Sequence, residues 1–322
     1  MHLPLPDFLK RRLRATRQWL AISLPTPQQL IDVILVAGKE QFDVNDNNAV
    51  AALRPLTLRL GLTRRLKAAL ERMPQPRLHL VDRQSRRILG ELRLKHLKDW
   101  STAGVEIALF EVDRGTHYCA PKLRKVWDTV LYLRAARRVP PEKQLMSPAA
   151  VEQLMVFSLC PRPVYLVSVD DGERSNVFPM DLVGPLLPQR FTLALRNTSQ
   201  SVETIKKARK VALAEVPGSA CQMAYRLGEH HKKQSIDWQQ LPFGLKRSKV
   251  FGLPVPDIAL GVREIEILDF QTVGSHTFFV GRVASHEKLI EGRQLFHTSG
   301  IHQQLRRRLG SPFEEALGTQ DR

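Results

Sequence analysis

The sequence predicts a mainly β fold in the C-terminal half, antiparallel and with short helices, and a small α+β domain in the N-terminal half. Two observations carry this prediction. Apolar residues alternate with polar ones over many short segments, and helical stripes are few. No two of the 18 glycines are two residues apart, so the dinucleotide-binding glycine fingerprint is absent. Together they favour a closed antiparallel barrel over a doubly wound sheet.

Length and composition predict two domains. The chain has 322 residues, of which 43% are hydrophobic and 25% charged, and this balance excludes disorder, collagen and coiled coil as descriptions of the whole chain. A basic, proline-rich stretch at 137–143 separates two patterned regions and is typical of a linker. We therefore expect a basic α+β domain over 1–140, a barrel domain over 146–310 and a tail over 311–322.

Cysteine content and hydropathy predict a cytoplasmic protein. Cys119, Cys160 and Cys221 are far apart and odd in number, which argues against a disulfide framework. No stretch reaches the roughly 18 apolar residues of a membrane helix. The apolar run Trp19–Leu24 after the basic start is too short for a signal peptide.

Charge is distributed unevenly along the chain. The net charge is +17, and residues 1–143 hold 27 Lys and Arg against 14 Asp and Glu, whereas the rest hold 22 against 18. A partner protein or nucleic acid on the basic N-terminal half is one interpretation, because phosphates attract Lys and Arg. A solvated basic surface is the other, since no nucleic-acid motif accompanies the charge.

The N-terminal half combines predicted helices and strands. Thr26-Pro27 is typical of a helix start and predicts a helix through Ala37, and Thr63 is expected to cap a second one through Arg72. Period-two patterns then predict three strands around 78–80, 88–94 and 105–109. After Gly115 a helix follows, with a predicted core stripe of Leu123, Val126, Trp127, Val130 and Leu131.

The C-terminal half contains more short strands. Ser147-Pro148 opens a predicted helix through Phe157, and Asp170–Glu173 forms a hairpin turn. A polar run, Arg196–Ser201, leads into a helix that begins near Val202. The remaining predicted strands are Val164–Val169, Arg174–Met180, Phe191–Leu195, Val211–Val216, Val262–Leu268 and Thr277–Val283.

No metal site is predicted. The sequence contains no CxxC, HExxH or GxSxG motif. His230-His231 are adjacent and flanked by Lys232 and Lys233, a pattern that indicates a solvated loop more than a metal ligand pair.

Six segments in order, over about 146–310, resemble the flavin reductase-like family of FMN-binding split barrels. Pro163–Ser168 looks like the first barrel strand, and Ser175–Met180 like the Asn-centred second strand. Gly274-Ser275-His276 opens a strand similar to the family's Gly-x-His strand. The other three similar segments are Phe191–Ile205, Leu253–Leu260 and Gln294–His297.

The resemblance implies FMN bound at a homodimer interface, with NADH or NADPH as hydride donor. It places Ser175, Asn176 and Val177 along the isoalloxazine ring. The implied phosphate contacts are Arg196, Asn197, Thr198, Ser199 and Ser201, at a helix N-terminus that favours anions. The alternative is that these residues are ordinary N-caps and a surface cation.

His276 is the implied catalytic candidate. Its implied role is to align the nicotinamide, because hydride transfer between cofactors needs alignment more than a proton donor; a barrel-end histidine bonded to backbone is the alternative. Asp181 departs from the family pattern, since a carboxylate beside the flavin would disfavour the reduced, anionic ring.

Three functions stay open from the sequence. The first is an NAD(P)H:flavin oxidoreductase. The second is a non-catalytic or redox-sensing FMN-binding protein whose basic N-terminal domain docks a partner. The third is a nucleic-acid-associated protein in which the barrel serves only as a dimerisation scaffold.

Overall fold

The computed structural model describes residues 19–25, 30–73, 75–102, 104–137 and 146–317. Its architecture is dominated by two seven-stranded antiparallel sheets, one in each half of the chain, which confirms the predicted fold class. A three-stranded sheet joins the halves, because a strand from the start of the described chain pairs with one near its end.

The N-terminal half supplies the first sheet. Its strands are β2 (Ile31–Ala37), β3 (Glu40–Asp43), β4 (Asn48–Leu53), β5 (Leu56–Gly61), β6 (Arg77–Asp82), β7 (Ile88–Thr102) and β8 (Val105–His117). They lie in the order β3-β2-β6-β7-β8-β5-β4. Two helices belong to this half, α1 (Arg64–Arg72) and α2 (Lys122–Ala136).

The C-terminal half supplies the second sheet. Its strands are β10 (Tyr165–Asp170), β11 (Ser175–Met180), β12 (Val183–Pro185), β13 (Arg190–Arg196), β14 (Lys210–Glu215), β17 (Gly261–Val273) and β18 (His276–Lys288). They lie in the order β11-β10-β14-β17-β18-β13-β12. Between β14 and β17 the chain leaves the sheet and forms a short hairpin, β15 (Leu245–Arg247) and β16 (Pro254–Pro256).

The remaining elements connect and cover the sheets. The joining sheet has the order β1-β19-β9, from Trp19–Pro25, Arg293–Ser299 and Arg162–Pro163. The remaining α-helices are α3 (Pro148–Phe157), α4 (Ser201–Ala208), α5 (Cys221–Arg226) and α6 (Gly300–Arg308). Short 3₁₀ segments cover Gly218–Ala220, Leu227–Lys232 and Trp238–Gln240.

The largest core lies between the two halves. Buried side chains of the first sheet, such as Leu58 and Phe110, pack with Leu154 of α3 and with Phe278 of β18 in one continuous cluster. A second cluster fills the C-terminal barrel around Leu213 and Phe279. Removing this apolar surface from water is the main force that holds the halves together.

Most predicted elements are confirmed. Thr63 caps α1 by accepting the Leu66 N–H at 3.3 Å, and Ser147 caps α3 through the Ala150 N–H at 3.1 Å. The three strands predicted around 78–109 are β6, β7 and β8. The predicted C-terminal strands and hairpin turn agree with the structure to within a few residues, apart from β17 and β18, which continue beyond their predicted ends.

Two predictions for the N-terminal half are wrong. The stretch Ile31–Ala37 is strand β2 rather than the end of a helix; it pairs with β3 and β6, and Thr26 and Pro27 lie outside the described residues. No residue of the predicted core stripe of α2 is buried: Leu123 and Val126 are 86% and 63% accessible, and the other three are only partly buried. The predicted linker lies mostly outside the described residues, which omit 138–145.

Candidate functional site

A turn from each half meets at the candidate site. Gly274 and Ser275 form the turn between β17 and β18, and Arg54 and Pro55 form the turn between β4 and β5. The Ser275 N–H donates to the Arg54 carbonyl at 3.1 Å, and the Arg54 N–H donates to the Ser275 Oγ at 3.2 Å. Gly274 has φ +50°, and a Cβ there would lie 2.6 Å from the Arg54 carbonyl oxygen, so this close approach requires glycine.

His276 follows this turn and is 2% exposed. Its Nδ1 lies 2.9 Å from the Ser275 Oγ and 3.5 Å from the Leu53 N–H. Since the Leu53 N–H can only donate, Nδ1 accepts, and the proton of the neutral ring is assigned to Nε2. Burial, and then the charge of Arg196, lowers the pKa of His276 to about 4, so the ring is neutral at pH 7.

His276 lines a cavity of about 290 Å³, near the lower end of the size range of small-molecule sites. Both halves form its walls. The C-terminal half contributes Arg196, Thr198 and Ser275 beside His276. The opposite wall is made mainly of apolar side chains from the N-terminal half and α3: Trp19, Leu53, Arg54, Met146, Val151, Leu154 and Met155.

The predicted phosphate residues divide into two groups. Arg196 and Thr198 are exposed and line the cavity, and no hydrogen bond or ion pair joins the Arg196 side chain to another described residue. The Asn197 side chain instead ties the loop to β18: it donates to the Gly274 carbonyl and accepts from the Thr277 hydroxyl. Ser199 and Ser201 are buried.

Asn176 joins the second strand of the barrel to this loop. Its Nδ2 lies 3.0 Å from each of the Ser201 Oγ, the His230 carbonyl and the Lys233 carbonyl. Its Oδ1 is buried and has no partner among the described residues. Val177 is fully buried, and the Ser175 Oγ accepts from the Trp238 indole at 2.7 Å. The structure therefore places Ser175, Asn176 and Val177 beside the polar loop but outside the lining of the cavity.

The solvated-loop interpretation of His230 and His231 is wrong. His230 is 9% exposed and its Nδ1 donates to the Val177 carbonyl at 2.7 Å. His231 donates from Nε2 to the Pro179 carbonyl and lies 3.3 Å through Nδ1 from the Ser199 hydroxyl. The pair thus fastens the polar loop to β11. The sequence did not predict this role, and the two adjacent histidines were the one feature of the sequence that could have indicated it.

Asp181 lies away from the His276 cavity, in a larger cleft of about 700 Å³. Its carboxylate accepts from Arg162 at 2.9 Å and from His297 at 2.8 Å. Burial alone would raise the pKa of Asp181, but the Arg162 charge and the His297 hydrogen bond outweigh burial and hold it well below its usual range. The negative charge of Asp181, the residue that departs from the family pattern, is therefore bound by Arg162 and His297.

The lining of the cavity offers the kinds of contact that a flavin nucleotide needs. Apolar side chains can cover a ring, and Arg196 offers a charged donor for a phosphate. Helix α4 begins three residues after Thr198, and its N-cap residue, Gln200, makes no side-chain bond to the first turn.

Two absences hold for the described part of the chain. None of its helices is long and apolar enough to span a membrane. Within those same residues, no group of three or more His, Cys, Asp and Glu side chains is arranged to bind a metal.

Several solved structures resemble part of the chain. The FMN-binding protein of Thermus thermophilus, solved with 1-cyclohex-2-enone bound, is 26% identical over 40% of this chain and 71% of its own, with a TM-score of 0.36. The NADH:FAD oxidoreductase SgcE6 of Streptomyces globisporus is 20% identical over 50% of this chain and 95% of its own, with a TM-score of 0.42. BorF, the flavin reductase component of a bacterial two-component tryptophan halogenase, is 19% identical over 45% and 91%, with a TM-score of 0.40.

Sequence comparison assigns the C-terminal half to a family. Comparison with curated proteins gives no match. Residues 157–303 match the family model of the flavin reductase like domain, which covers the strands that carry the candidate site. At the level of the family, this match supports a flavin-related oxidoreductase role. Residues 157–303 of this chain therefore belong to the flavin reductase-like family.

Proposed function

We propose that this protein binds FMN in the cavity beside His276 and passes hydride from NADH or NADPH to the flavin. The observation that carries the proposal is the grouping of Arg196, Thr198 and His276 around one cavity within a flavin reductase-like domain. Three of the predicted site residues, from two separate strands and a loop, meet there. Whether the protein forms the homodimer that the resemblance implies is decided by its mass in solution.

Each wall of the cavity has its own role in this proposal. Arg196 binds the phosphate, and Thr198 adds a hydroxyl beside it. The apolar side chains of Leu154 and Met155 exclude water from the ring. FMN, when bound, supplies a group that accepts and releases hydride.

His276 positions the second cofactor. Because its pKa is about 4, the ring stays neutral above about pH 5 and offers Nε2–H as a hydrogen-bond donor rather than an acidic proton. Ser275 holds the ring in place, since its hydroxyl accepts the Arg54 N–H and can donate to Nδ1. We assign to His276 the alignment of the nicotinamide, not proton transfer.

The first test is flavin binding by the wild-type protein and by Arg196→Ala. Protein incubated with FMN and desalted is expected to show flavin absorbance. The substitution is expected to weaken FMN about tenfold and riboflavin hardly at all, because riboflavin has no phosphate for the cation to bind. Fluorescence quenching measures both dissociation constants. Arg282→Ala is the matched control, since Arg282 is an exposed arginine on β18 that pairs with Glu266.

Two results would count against this assignment. Equal loss of FMN and riboflavin affinity would show that Arg196 acts structurally. Wild-type protein that neither retains nor quenches FMN would contradict flavin binding itself.

The second test concerns hydride transfer. His276→Ala is expected to slow flavin-dependent NADH or NADPH oxidation on the order of a hundredfold, because misalignment of about 1 Å has that cost. FMN affinity should change little, and His276→Gln should restore part of the rate by keeping an N–H donor. Stopped-flow absorbance of the flavin reports the transfer step. His286→Ala, on an exposed residue of the same strand, is the control.

The pH profile separates alignment from acid catalysis. Alignment by a neutral ring predicts that His276 contributes no pH dependence between about pH 5.5 and 8. A wild-type rate that falls above pH 6 and loses this dependence in His276→Ala would contradict the assignment and indicate proton donation.

A non-catalytic FMN-binding protein is the second candidate, and one observation favours it. Arg77, Arg93 and Arg114 lie side by side on the neighbouring strands β6, β7 and β8. An anionic partner would reduce the repulsion between these three positive charges. Glu91 is the nearest acidic partner of the first two. Bound FMN without NADH or NADPH turnover, together with salt-sensitive binding of a nucleic acid, would favour this candidate.

A further inference from the structure

The two seven-stranded sheets have the same topology. When the strands of each sheet are numbered from 1 to 7 in chain order, both sheets have the spatial order 2-1-5-6-7-4-3. In both, a helix connects the fourth strand to the fifth: α1 follows β5, and α4 follows β13. We name residues 31–117 the N-terminal copy and residues 165–288 the C-terminal copy.

Irregularities of the long hairpins coincide as well. In the N-terminal copy, one bulge places the extra residue on β7 opposite Leu109/Phe110, and the other places it on β8 between Val112 and Arg114. In the C-terminal copy, one bulge places the extra residue on β17 opposite Val280/Gly281, and the other places it on β18 between Val283 and Ser285. Counted from the first residue of each strand, Val105 and His276, these positions are identical. Bulges are specific features that fix register, so two coincidences in one hairpin indicate two copies of one fold.

Equivalent residues of the two copies touch one another. Leu109 and Val280 are both the fifth residue of their strands. Arg59 pairs with Leu109 and Thr192 pairs with Val280, so Arg59 and Thr192 are equivalent. The Arg59 guanidinium donates to the Thr192 hydroxyl and, at 3.1 Å, to the Gly184 carbonyl. Ala49 and Gly184 are the next equivalent pair, and a Cβ on Gly184 would lie 3.4 Å from the Ala49 Cβ. Contacts between equivalent positions mark a two-fold axis, as in a symmetric dimer.

Only the C-terminal copy keeps the features of the candidate site. Val105 stands where the C-terminal copy has His276. Four residues, 197–200, connect β13 to α4, whereas only Leu62 and Thr63 connect β5 to α1. The Thr63 side chain already caps α1. The equivalent site of the N-terminal copy thus lacks both the histidine and the longer loop before the helix.

We infer that the N-terminal copy takes the place of a second subunit, so that one chain forms one complete cavity from its own two copies and works as a monomer. The turn at Leu53 and Arg54 is its contribution, through the backbone bonds to Ser275 and the cavity wall opposite Arg196. The occupancy of this cavity by one FMN per chain rests on the proposed function. The pairing of the two copies is independent of the proposed function.

The first experiment tests the pairing without flavin. Light scattering of the full chain over a hundredfold concentration range is expected to give 36.6 kDa throughout. The double variant Ala49→Cys/Gly184→Cys, oxidised in dilute solution, is expected to form a disulfide within one chain and migrate as a compact monomer. The Cβ separation is close to that of disulfides. Each single variant is the control for the native cysteines.

A mass of twice that value, or a covalent dimer from the double variant, would overturn the inference, because the copies would then pair between chains. If the double variant fails to fold, the mass of the wild-type protein still decides between the two arrangements.

The second experiment tests the shared cavity. FMN titration is expected to give one site per chain, with a dissociation constant that does not depend on protein concentration. Arg54→Ala is expected to weaken FMN several-fold, and Arg64→Ala, an exposed arginine at the start of α1, should leave it unchanged. Two sites per chain, or equal effects of both variants, would overturn the single shared cavity. A monomer that binds no FMN contradicts the proposed function and leaves the pairing intact.

Discussion

Acidification from pH 7 to pH 5 is expected to remove several kcal/mol from the free energy of unfolding. Burial lowers the pKa of three histidines, His117, His276 and His302, to about 4. In the unfolded chain each pKa returns to about 6.5. Between these values the unfolded state binds more protons, so stability is complete above about pH 6.5 and falls until about pH 4.

The size of this effect follows from the shifts. Each histidine costs about 2 kcal/mol at pH 5, and three cost about 6 kcal/mol, which is comparable to the ~5–15 kcal/mol of a whole domain. Urea unfolding at half-unit pH steps, followed by circular dichroism, measures the free energy directly. Removing one titrating group with His302→Gln should reduce the slope by about a third. A free energy that stays constant from pH 7 to pH 5 would contradict the assignment of these histidines as buried and neutral.

Replacing Glu264 by alanine is expected to destabilise the protein by roughly 3–6 kcal/mol. This carboxylate is fully buried on β17 and faces no described cation; four donors bind it instead. They are the hydroxyls of Ser248 and Ser285 at 2.6 Å and the N–H groups of Val250 and Phe251 at 2.8 and 2.6 Å. Burial raises the pKa of Glu264, but these hydrogen bonds outweigh it and keep the pKa below its ordinary value.

The cost arises because the substitution removes one acceptor and leaves several donors unsatisfied. Glu264→Gln should cause an intermediate destabilisation, because the amide keeps one acceptor oxygen but places its NH₂ group against hydrogen-bond donors. Glu266→Ala is the matched control: Glu266 lies two residues further along the same strand and forms an exposed pair with Arg282, worth less than about 1 kcal/mol. Equal destabilisation by Glu264→Ala and Glu266→Ala in urea unfolding would contradict a special role for the buried carboxylate.

The C-terminal strands could be predicted because they are short apolar runs bounded by turn signals such as Pro163 and Asp171-Gly172, although β10, β13 and β14 are buried on both faces. Strand β2 is equally buried, with five of its seven residues buried and two partly accessible, but it follows Thr26-Pro27, a helix-start signal that no alternation contradicts. The partly exposed stripe of α2 shows the opposite error, since apolar spacing predicts a face but not whether another element covers it.

The candidate site could be predicted only where its residues are close in sequence to a motif. Arg196, Thr198 and His276 belong to segments that resemble the family and meet at the cavity. Leu53 and Arg54 come from more than 200 residues away, and nothing in the local pattern of their turn indicates a partner. The same holds for the Arg162–Asp181–His297 cluster and for the duplication, because strand topology is compatible with many unrelated sequences.

The contact between Arg59 and Thr192 has a consequence for how such a protein can evolve. In an assembly of identical chains, every substitution at the axis occurs twice, and an arginine there would meet a second arginine in a buried, poorly solvated space. Fusing the copies removes that constraint, since each side can then mutate independently. Arg59, whose pKa burial lowers to about 9, can thus bind a hydroxyl and two carbonyl groups, an unequal arrangement that genetically identical subunits have no means of encoding.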